Sequence, residues 1–251
     1  MKRVRAANQE TEPIYRVHSD NLQTAPPPKL LRSASYPWDA RYEGGLCKIT
    51  QEFFRCRGSK QNPPIYLNDK ETLFDCNGSE EHSLPIREGK EFIYPILIDL
   101  LNYLQSETKK QVVVTSGHRC PRHNRYLNYA PTAQYSKHQI GAEVSFYVEG
   151  MQDFPFEILK LIKQYYRTHP DFKDDPKFTE FLRYEKSDTG VAIKPWYNEE
   201  IYIKLFDRSE GRDLDQSHPY SYFSIQVRQD LSTKKRVLYD WNTAHKTLLR
   251  K

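Results

Sequence analysis

The chain has 251 residues, which fits one large domain or one domain with an arm, because single domains extend to roughly 250 residues. Only 37% of the residues are apolar, but 18 Tyr, 12 Phe and 3 Trp supply bulk for a core. The net charge of +5 comes without a dense basic block, and no apolar run approaches the length of a membrane span, so we expect neither a dedicated nucleic-acid binder nor a membrane-spanning protein.

The N-terminal third of the sequence predicts little regular structure. Residues 1–35 are charged and polar and include Pro26-Pro27-Pro28, a composition typical of an extended arm. The basic opening Met1–Arg5 is not followed by an apolar stretch, so we expect no signal segment in the given chain. Residues 36–89 are rich in turn formers such as Asn62-Pro63-Pro64, which predicts an irregular extension packed on the following domain.

Helical periodicity begins at Pro95, a residue that suits the first position of a helix. Apolar residues then recur at helical spacing, at Ile96, Leu97, Leu100, Leu101 and Leu104. Val112-Val113-Val114 predicts a buried strand that leads into a polar turn. We expect a second helix from Pro155 to about Arg167 and a shorter third helix over 176–184.

Beyond these helices the apolar pattern changes to a period of two, which is typical of strands. We predict four strands, over Val191–Ile193, Ile201–Phe206, Tyr222–Arg228 and Arg236–Trp241. Helices that precede antiparallel strands indicate an α+β fold, with an antiparallel sheet and helices packed on it.

Four cysteines, Cys47, Cys56, Cys76 and Cys120, fit either two disulfides in an exported protein or four buried thiols in a cytosolic one. Cys120 follows the turn after the valine strand, and Cys76 lies in the segment that leads to the preceding helix. This topology favours Cys76–Cys120, with Cys47–Cys56 as the second pair. Disulfides would favour the periplasm or the cell envelope, although the cytoplasm is not excluded.

Three segments together resemble one known family, namely Ser116–Asn124 (SGHRCPRHN), Ser136–Ala142 (SKHQIGA) and Pro219–Arg228 (PYSYFSIQVR). Their order is similar to that in the zinc D-Ala-D-Ala carboxypeptidases, whose fold is shared with the hedgehog signalling domain. The resemblance covers about residues 90–241 and implies a peptidase-like domain over 90–251, a hedgehog/DD-peptidase-like fold, and peptidoglycan as the substrate class.

The resemblance also implies roles for individual residues. Arg119 would face the substrate or the oxyanion, Ser136 would contact substrate, and His138 would be the first zinc ligand. Tyr222 shares a strand face with the position of the last ligand and would line the substrate site. Purely structural roles stay open as well. Arg119 is suited to hydrogen bonding with the backbone carbonyls of its own turn, and Ser136 is suited to capping a local turn.

The departures from the family pattern concern the metal chemistry. Ser145 stands where the resemblance places an aspartate ligand, and Ser224 stands where it places the last histidine. Gln226 and Ser221 occupy the two positions at which relatives carry a carboxylate. A serine hydroxyl is a poor zinc donor, and glutamine cannot act as a general base. The sequence therefore predicts a lost zinc site, with His138 as its remnant.

We consequently expect a catalytically inactive peptidase-like domain, without a cofactor, that binds a peptide, a peptidoglycan fragment or a partner protein. The alternative is an active zinc carboxypeptidase whose ligands have moved to Glu143, His123 or His218. A cluster of His118, Cys120 and His123 would suit such a rearranged site, but a disulfide at Cys120 competes with it. A third hypothesis is a purely structural protein of the cell envelope.

Overall fold

Short elements precede the first long helix in the computed structural model, which describes residues 45–68, 71–76, 84–129, 135–210 and 215–239. A 3-10 turn spans Gln51–Phe54. Two antiparallel pairs follow, β1 (Ile65–Asn68) with β2 (Glu71–Leu73) and β3 (Ile86–Arg87) with β4 (Lys90–Glu91).

The predicted division near residue 90 stays a prediction. Ile49, Phe54 and Leu84, which precede it, are buried in the same core as the later helices and strands. The predicted arm over residues 1–35 lies outside the described residues, as do the first nine residues of the predicted extension.

The helices are α1 (Pro95–Thr108), α2 (Pro121–Leu127), α3 (Pro155–Thr168) and α4 (Pro176–Thr179). The predicted helix at Pro95 is confirmed, and its periodic leucines are buried because they form one face against the core. The second predicted helix is confirmed as α3. The third ends earlier than expected, at Thr179, because the chain continues into an extended segment. The described helices are all too short or too polar to cross a membrane.

The sheet has six strands, β5 (Val112–Ser116), β6 (Glu143–Val148), β7 (Leu182–Arg183), β8 (Trp196–Tyr197), β9 (Ile201–Phe206) and β10 (Tyr222–Val227). They are arranged in the order β5-β6-β10-β9-β8-β7, and every neighbouring pair is antiparallel. A small hairpin of β11 (Gln229–Asp230) and β12 (Lys235–Arg236) follows. The structure therefore agrees with the predicted α+β class.

Two of the predicted strands need correction. The segment over Val191–Ile193 is not a strand, because the amide of Ala192 donates to the side chain of Glu210 instead of to a neighbouring strand. The predicted strand that begins at Arg236 is reduced to β12, and its last two residues lie outside the described residues.

The two faces of the sheet have different surroundings. One face packs against α1 and α3, and it carries the apolar core residues Val112, Val114, Val144, Phe146, Ile203, Leu205, Phe223 and Ile225. Because side chains alternate along a strand, the residues between these point to the other face. Among them are Ser145, Ser224 and Lys204, so the polar face of the sheet holds the positions singled out from the sequence.

Candidate functional site

A cavity of about 720 Å³ lies over the polar face of the sheet. Its walls include every residue that the sequence assigned to substrate or lost metal, namely Arg119, Ser136, His138, Ser145, Tyr222 and Ser224. The structure thus brings together residues that are up to about a hundred positions apart in the chain. Their individual roles stay predictions, but their common location is a property of the fold.

Strand register aligns three serines and a lysine beneath this cavity. Ser116 pairs with Ser145, Ser145 pairs with Ser224, and Ser224 pairs with Lys204 across β5, β6, β10 and β9. Residues that pair in an antiparallel sheet have their side chains on the same face. Ser145, Ser224 and Lys204 line the cavity, so its floor carries two hydroxyls and an ammonium group, while Ser116 continues the row outside the lining.

His138 is held in one orientation by the turn that contains it. The Ser136 hydroxyl accepts from the amide of His138 (3.2 Å), while the Gln139 side chain accepts from the amide of Ser136 (3.0 Å). Ser136 thus caps the turn, which is the structural role considered from the sequence, and it also lines the cavity. Nδ1 of His138 lies 2.6 Å from the carbonyl oxygen of Gly117. Since a carbonyl only accepts, Nδ1 carries the proton and Nε2 is the acceptor.

Glu143 occupies the space beside this acceptor nitrogen. Its Oε1 lies 3.6 Å from Nε2 of His138 and accepts hydrogen bonds from the Ser224 hydroxyl (2.7 Å) and the Gln226 amide (2.9 Å). Burial alone would raise the pKa of Glu143, but the hydrogen bonds from Gln226 and Ser224 and the charge of Arg119 oppose burial and lower the pKa. Burial in turn lowers the pKa of His138. The pair is therefore a fixed carboxylate beside a neutral imidazole.

Arg119 is held in place by hydrogen bonds from its Nε atom. Its Nε donates to the Ser116 hydroxyl (3.0 Å) and to Oδ2 of Asp215 (2.9 Å). The structural role considered for Arg119 required backbone carbonyls as acceptors, but among the described residues its acceptors are these two side chains. Both bonds engage Nε, and the two terminal nitrogens donate to no residue in the described part of the chain. The guanidinium lines the cavity, so these donors remain for a ligand.

Asp215 bridges Arg119 and the buried side chain of His123. Besides Arg119 it contacts the Ser116 hydroxyl, and its Oδ1 accepts from Nε2 of His123 (2.6 Å). Burial would raise the pKa of Asp215, but the charge of Arg119 and the contacts with His123 lower it well below its usual range. No pattern in the sequence indicated Asp215, which lies in a loop without a motif. Lys204, which donates to the Thr189 carbonyl (2.9 Å), was also missed, although its place in an alternating strand could have indicated it.

The residues of the cavity do not fit a catalytic zinc ion. Such a site needs about three protein donors and an open position for water. His138 and Glu143 supply two, and Ser145 and Ser224 add only neutral hydroxyls. Within the described residues, two groups of three or more His, Cys, Asp or Glu donors come within 4.8 Å of one another, and neither contains His138 or Glu143.

The proposed rearrangement of ligands is only partly matched. Glu143 lies beside His138, as that alternative required. His123 is instead bound between Asp75 and Asp215, and His218 packs against the rings of Tyr147, Tyr220 and Tyr222.

The cysteine prediction needs correction. None of the four cysteines forms a disulfide, and the sulfurs of Cys56 and Cys76 are 3.8 Å apart, far from the ~2.05 Å of a disulfide. Cys76 and Cys120 are neighbours, as the topology suggested, but Cys56 rather than Cys47 completes their group. The expected pairs Cys76–Cys120 and Cys47–Cys56 are therefore absent. Disulfides no longer argue for an oxidising compartment.

Comparisons of the chain with protein-family models, curated proteins and solved structures found no match. The resemblance to the zinc D-Ala-D-Ala carboxypeptidases thus rests on the motifs themselves. What the site can do is argued below from its geometry.

Proposed function

We propose that the protein is a peptidase-like domain of the hedgehog/DD-peptidase type that has lost its catalytic zinc site and binds the carboxylate end of a peptide. The observation that carries this proposal is the state of Arg119. Its guanidinium is fixed through Nε by Asp215 and Ser116, and Arg119 is one of the residues that line a cavity of about 720 Å³. A guanidinium held in this way is prepared for bidentate binding of a carboxylate.

Other features of the cavity support a peptide ligand. Its volume of about 720 Å³ falls within the ~300–1,000 Å³ that is usual for small-molecule sites. Lys204 adds a second positive charge, and the serine row offers hydroxyls that can donate to or accept from amide groups. Phe206 and Tyr222 are stacked with ring centroids 4.5 Å apart and form an apolar wall. A short peptide with a small apolar terminal residue matches this combination.

The same cavity is poorly equipped for hydrolysis. A general base works best when its pKa is near the operating pH. The pKa of Glu143 is lowered, and its Oε1 already accepts two hydrogen bonds. Binding without cleavage is therefore the function that these residues favour. A peptidoglycan stem peptide in the cell envelope would present the required carboxylate, and so would the C-terminus of a partner protein.

The test is a calorimetric titration with diacetyl-Lys-D-Ala-D-Ala and with the same peptide as its C-terminal amide. We expect the acid to bind and the amide to bind at least about tenfold more weakly, since a charge-assisted hydrogen bond contributes roughly 1.5–3 kcal/mol. Arg119→Gln should remove this preference. Arg125→Gln is the matched control, because Arg125 is exposed and pairs only with Glu71 among the described residues. Equal affinity for acid and amide contradicts the proposal.

A second candidate is the zinc carboxypeptidase with rearranged ligands, favoured by the 3.6 Å separation of His138 Nε2 and Glu143 Oε1. It predicts release of D-alanine from the same peptide when zinc is added. We expect none. Release that His138→Ala abolishes would favour this enzyme over the binding domain.

A further inference from the structure

Three cysteines from distant parts of the chain meet in the interior. Cys56 follows the first 3-10 turn, Cys76 follows β2, and Cys120 immediately precedes α2. All three are buried, and their sulfurs lie within 4.8 Å of one another. We call Cys56, Cys76 and Cys120 the thiol cluster. It is separate from the cavity, whose walls contain none of the three.

The spacing of the thiol cluster matches a metal site better than a disulfide. A tetrahedral ion with zinc–sulfur bonds of about 2.3 Å separates its sulfur ligands by about 3.8 Å. The sulfurs of Cys56 and Cys76 are 3.8 Å apart. Two thiols reach this distance by simple van der Waals contact as well. Two features distinguish a metal site from such a contact. The sulfur of a third cysteine lies within 4.8 Å of the other two, and a nitrogen donor lies nearby.

That nitrogen belongs to His123. It follows Cys120 by three residues in the sequence Cys-Pro-Arg-His, so Cys120 caps α2 and His123 lies on the first turn of that helix. Donor atoms of Asp75, Cys76 and His123 form a second group within 4.8 Å of one another. The two groups share Cys76. His123 is not in the group of three sulfurs, so its Nδ1 would have to move towards them to bind the same ion.

Gly58 keeps the space between Cys76 and His123 open. A Cβ atom at this position would lie 2.1 Å from the Cys76 sulfur and 3.0 Å from Nδ1 of His123. No side chain fits there, although φ at Gly58 is not in the left-handed region that would itself require glycine. The glycine is therefore explained by close approach to the donor atoms.

The surroundings of the donors are those of a metal site. The amide of His123 lies 3.3 Å from the Cys120 sulfur, and the amide of Cys120 lies 3.5 Å from the Cys56 sulfur, so both can donate to thiolates. Nε2 of His123 donates to Asp215 (2.6 Å), and a carboxylate on the remote nitrogen commonly orients a histidine ligand.

We propose that the thiol cluster, with His123 as fourth donor, is a structural zinc site. Nδ1 of His123 would exchange its present partner, Oδ1 of Asp75 (2.7 Å), for the ion. Three thiolates and one imidazole are a usual donor set for structural zinc, and soft sulfur donors disfavour magnesium and calcium. Such an ion would cross-link the segment before β3, through Cys56 and Cys76, to the start of α2, through Cys120 and His123. It would also hold His123 against Asp215, the residue that anchors Arg119.

The experiment measures metal in the full-length chain purified without chelators. We expect one zinc per chain by plasma mass spectrometry. Cys56→Ser, Cys76→Ser and Cys120→Ser should each lose it. Cys47→Ser is the matched control and should keep it, because Cys47 lies outside the cluster. His138→Ala should also keep it, which separates this site from any ion in the peptide cavity.

A measurement on the parent protein covers the case in which the serine variants fail to fold. After replacement of the bound metal by cobalt, thiolate ligation gives intense charge-transfer absorption in the near ultraviolet, which oxygen ligands do not give. We expect this band. A metal-free parent protein with four titratable thiols overturns the proposal, as does a disulfide within the cluster or retention of zinc by folded Cys76→Ser. None of these results depends on peptide binding, so the two proposals fail independently.

Discussion

The Ser224 hydroxyl donates a 2.7 Å hydrogen bond to Oε1 of Glu143. The same oxygen lies 3.6 Å from Nε2 of His138. A hydroxyl thus occupies the strand position at which the resemblance places a histidine ligand, and it satisfies a buried carboxylate. This relationship shows what would be needed to create a metal site in the cavity.

Ser224→His should create zinc binding in the cavity. The new imidazole would join His138 and Glu143, and three protein donors are the usual number for an open zinc site. We expect the variant to bind one zinc per chain more than the parent protein, measured by plasma mass spectrometry after dialysis against zinc. This is a single change, although the resemblance places another ligand at the position of Ser145.

Ser232→His is the control for this variant. The Ser232 hydroxyl also donates to a carboxylate, that of Asp230. Unlike Ser224, however, Ser232 does not line the cavity that contains His138. It should add no zinc. Equal zinc content of Ser224→His and the parent protein would show that Glu143 is not positioned as a ligand.

Gly117→Ala should destabilise the protein. A Cβ atom at Gly117 would lie 2.4 Å from Cα of Phe54 and 2.6 Å from its carbonyl oxygen. These are backbone atoms, and the amide of His118 also donates to that carbonyl, so neither side can yield easily. Overpacking of this kind costs about 1–3 kcal/mol or more of unfolding free energy. Urea unfolding followed by fluorescence measures it.

Gly89→Ala is the matched control for Gly117. Nothing lies within 4 Å of the new Cβ there, and only the positive φ of 76° opposes the change. We expect a cost of roughly 1–2 kcal/mol from the left-handed backbone. A loss below about 1 kcal/mol for Gly117→Ala would contradict the close packing of the Gly117 turn on Phe54.

Asp215→Asn should weaken both stability and peptide binding. The carboxylate is buried between Arg119 and His123, and removal of one partner from a buried ionic group costs about 3–5 kcal/mol. Under conditions where the variant remains folded, its preference for the acid over the amide peptide should fall, because Arg119 is no longer held. Loss of stability with an intact preference would show that Asp215 does not position Arg119.

Glu71→Gln is the corresponding control at an exposed ion pair. Glu71 pairs with Arg125, and both side chains are largely in solvent. Exposed pairs contribute about 0–1 kcal/mol. We expect a change within this range and unaltered peptide binding.

Glu200 should make the stability depend on pH. Its carboxyl group is buried and accepts a hydrogen bond from the Tyr166 hydroxyl (2.9 Å), while Asp99 acts on it through its negative charge. Burial, aided by Asp99, raises the pKa of Glu200 from 4.5 to about 7. The folded state therefore binds more protons than the unfolded state between these values, so stability falls as pH rises through this interval. The loss amounts to about 3 kcal/mol.

Glu200→Gln removes the titrating group but keeps an oxygen for Tyr166. Its unfolding free energy should exceed that of the parent protein by more at about pH 8 than at about pH 5. Glu157→Gln, on the exposed side of α3, should shift both values equally. A constant difference for Glu200→Gln across this range would show that Glu200 has no raised pKa.

The sequence alone determined the features that repeat along the chain. Helix α1 follows from Pro95 and the leucines at helical spacing, and the face of β10 that carries Tyr222 and Ser224 follows from strict alternation. Helix α2 was missed because its seven residues are too few to show a repeating apolar pattern.

Tertiary structure decided which distant groups touch. The pair Arg119–Asp215, like the meeting of Cys56 with Cys76 and Cys120, depends on how loops pack over the sheet. The failed disulfide prediction has this cause, since topology placed Cys76 near Cys120 but did not indicate which third sulfur joins them. Periodicity fixes the direction of a side chain relative to its own element, whereas contacts between elements are set by packing of the whole chain.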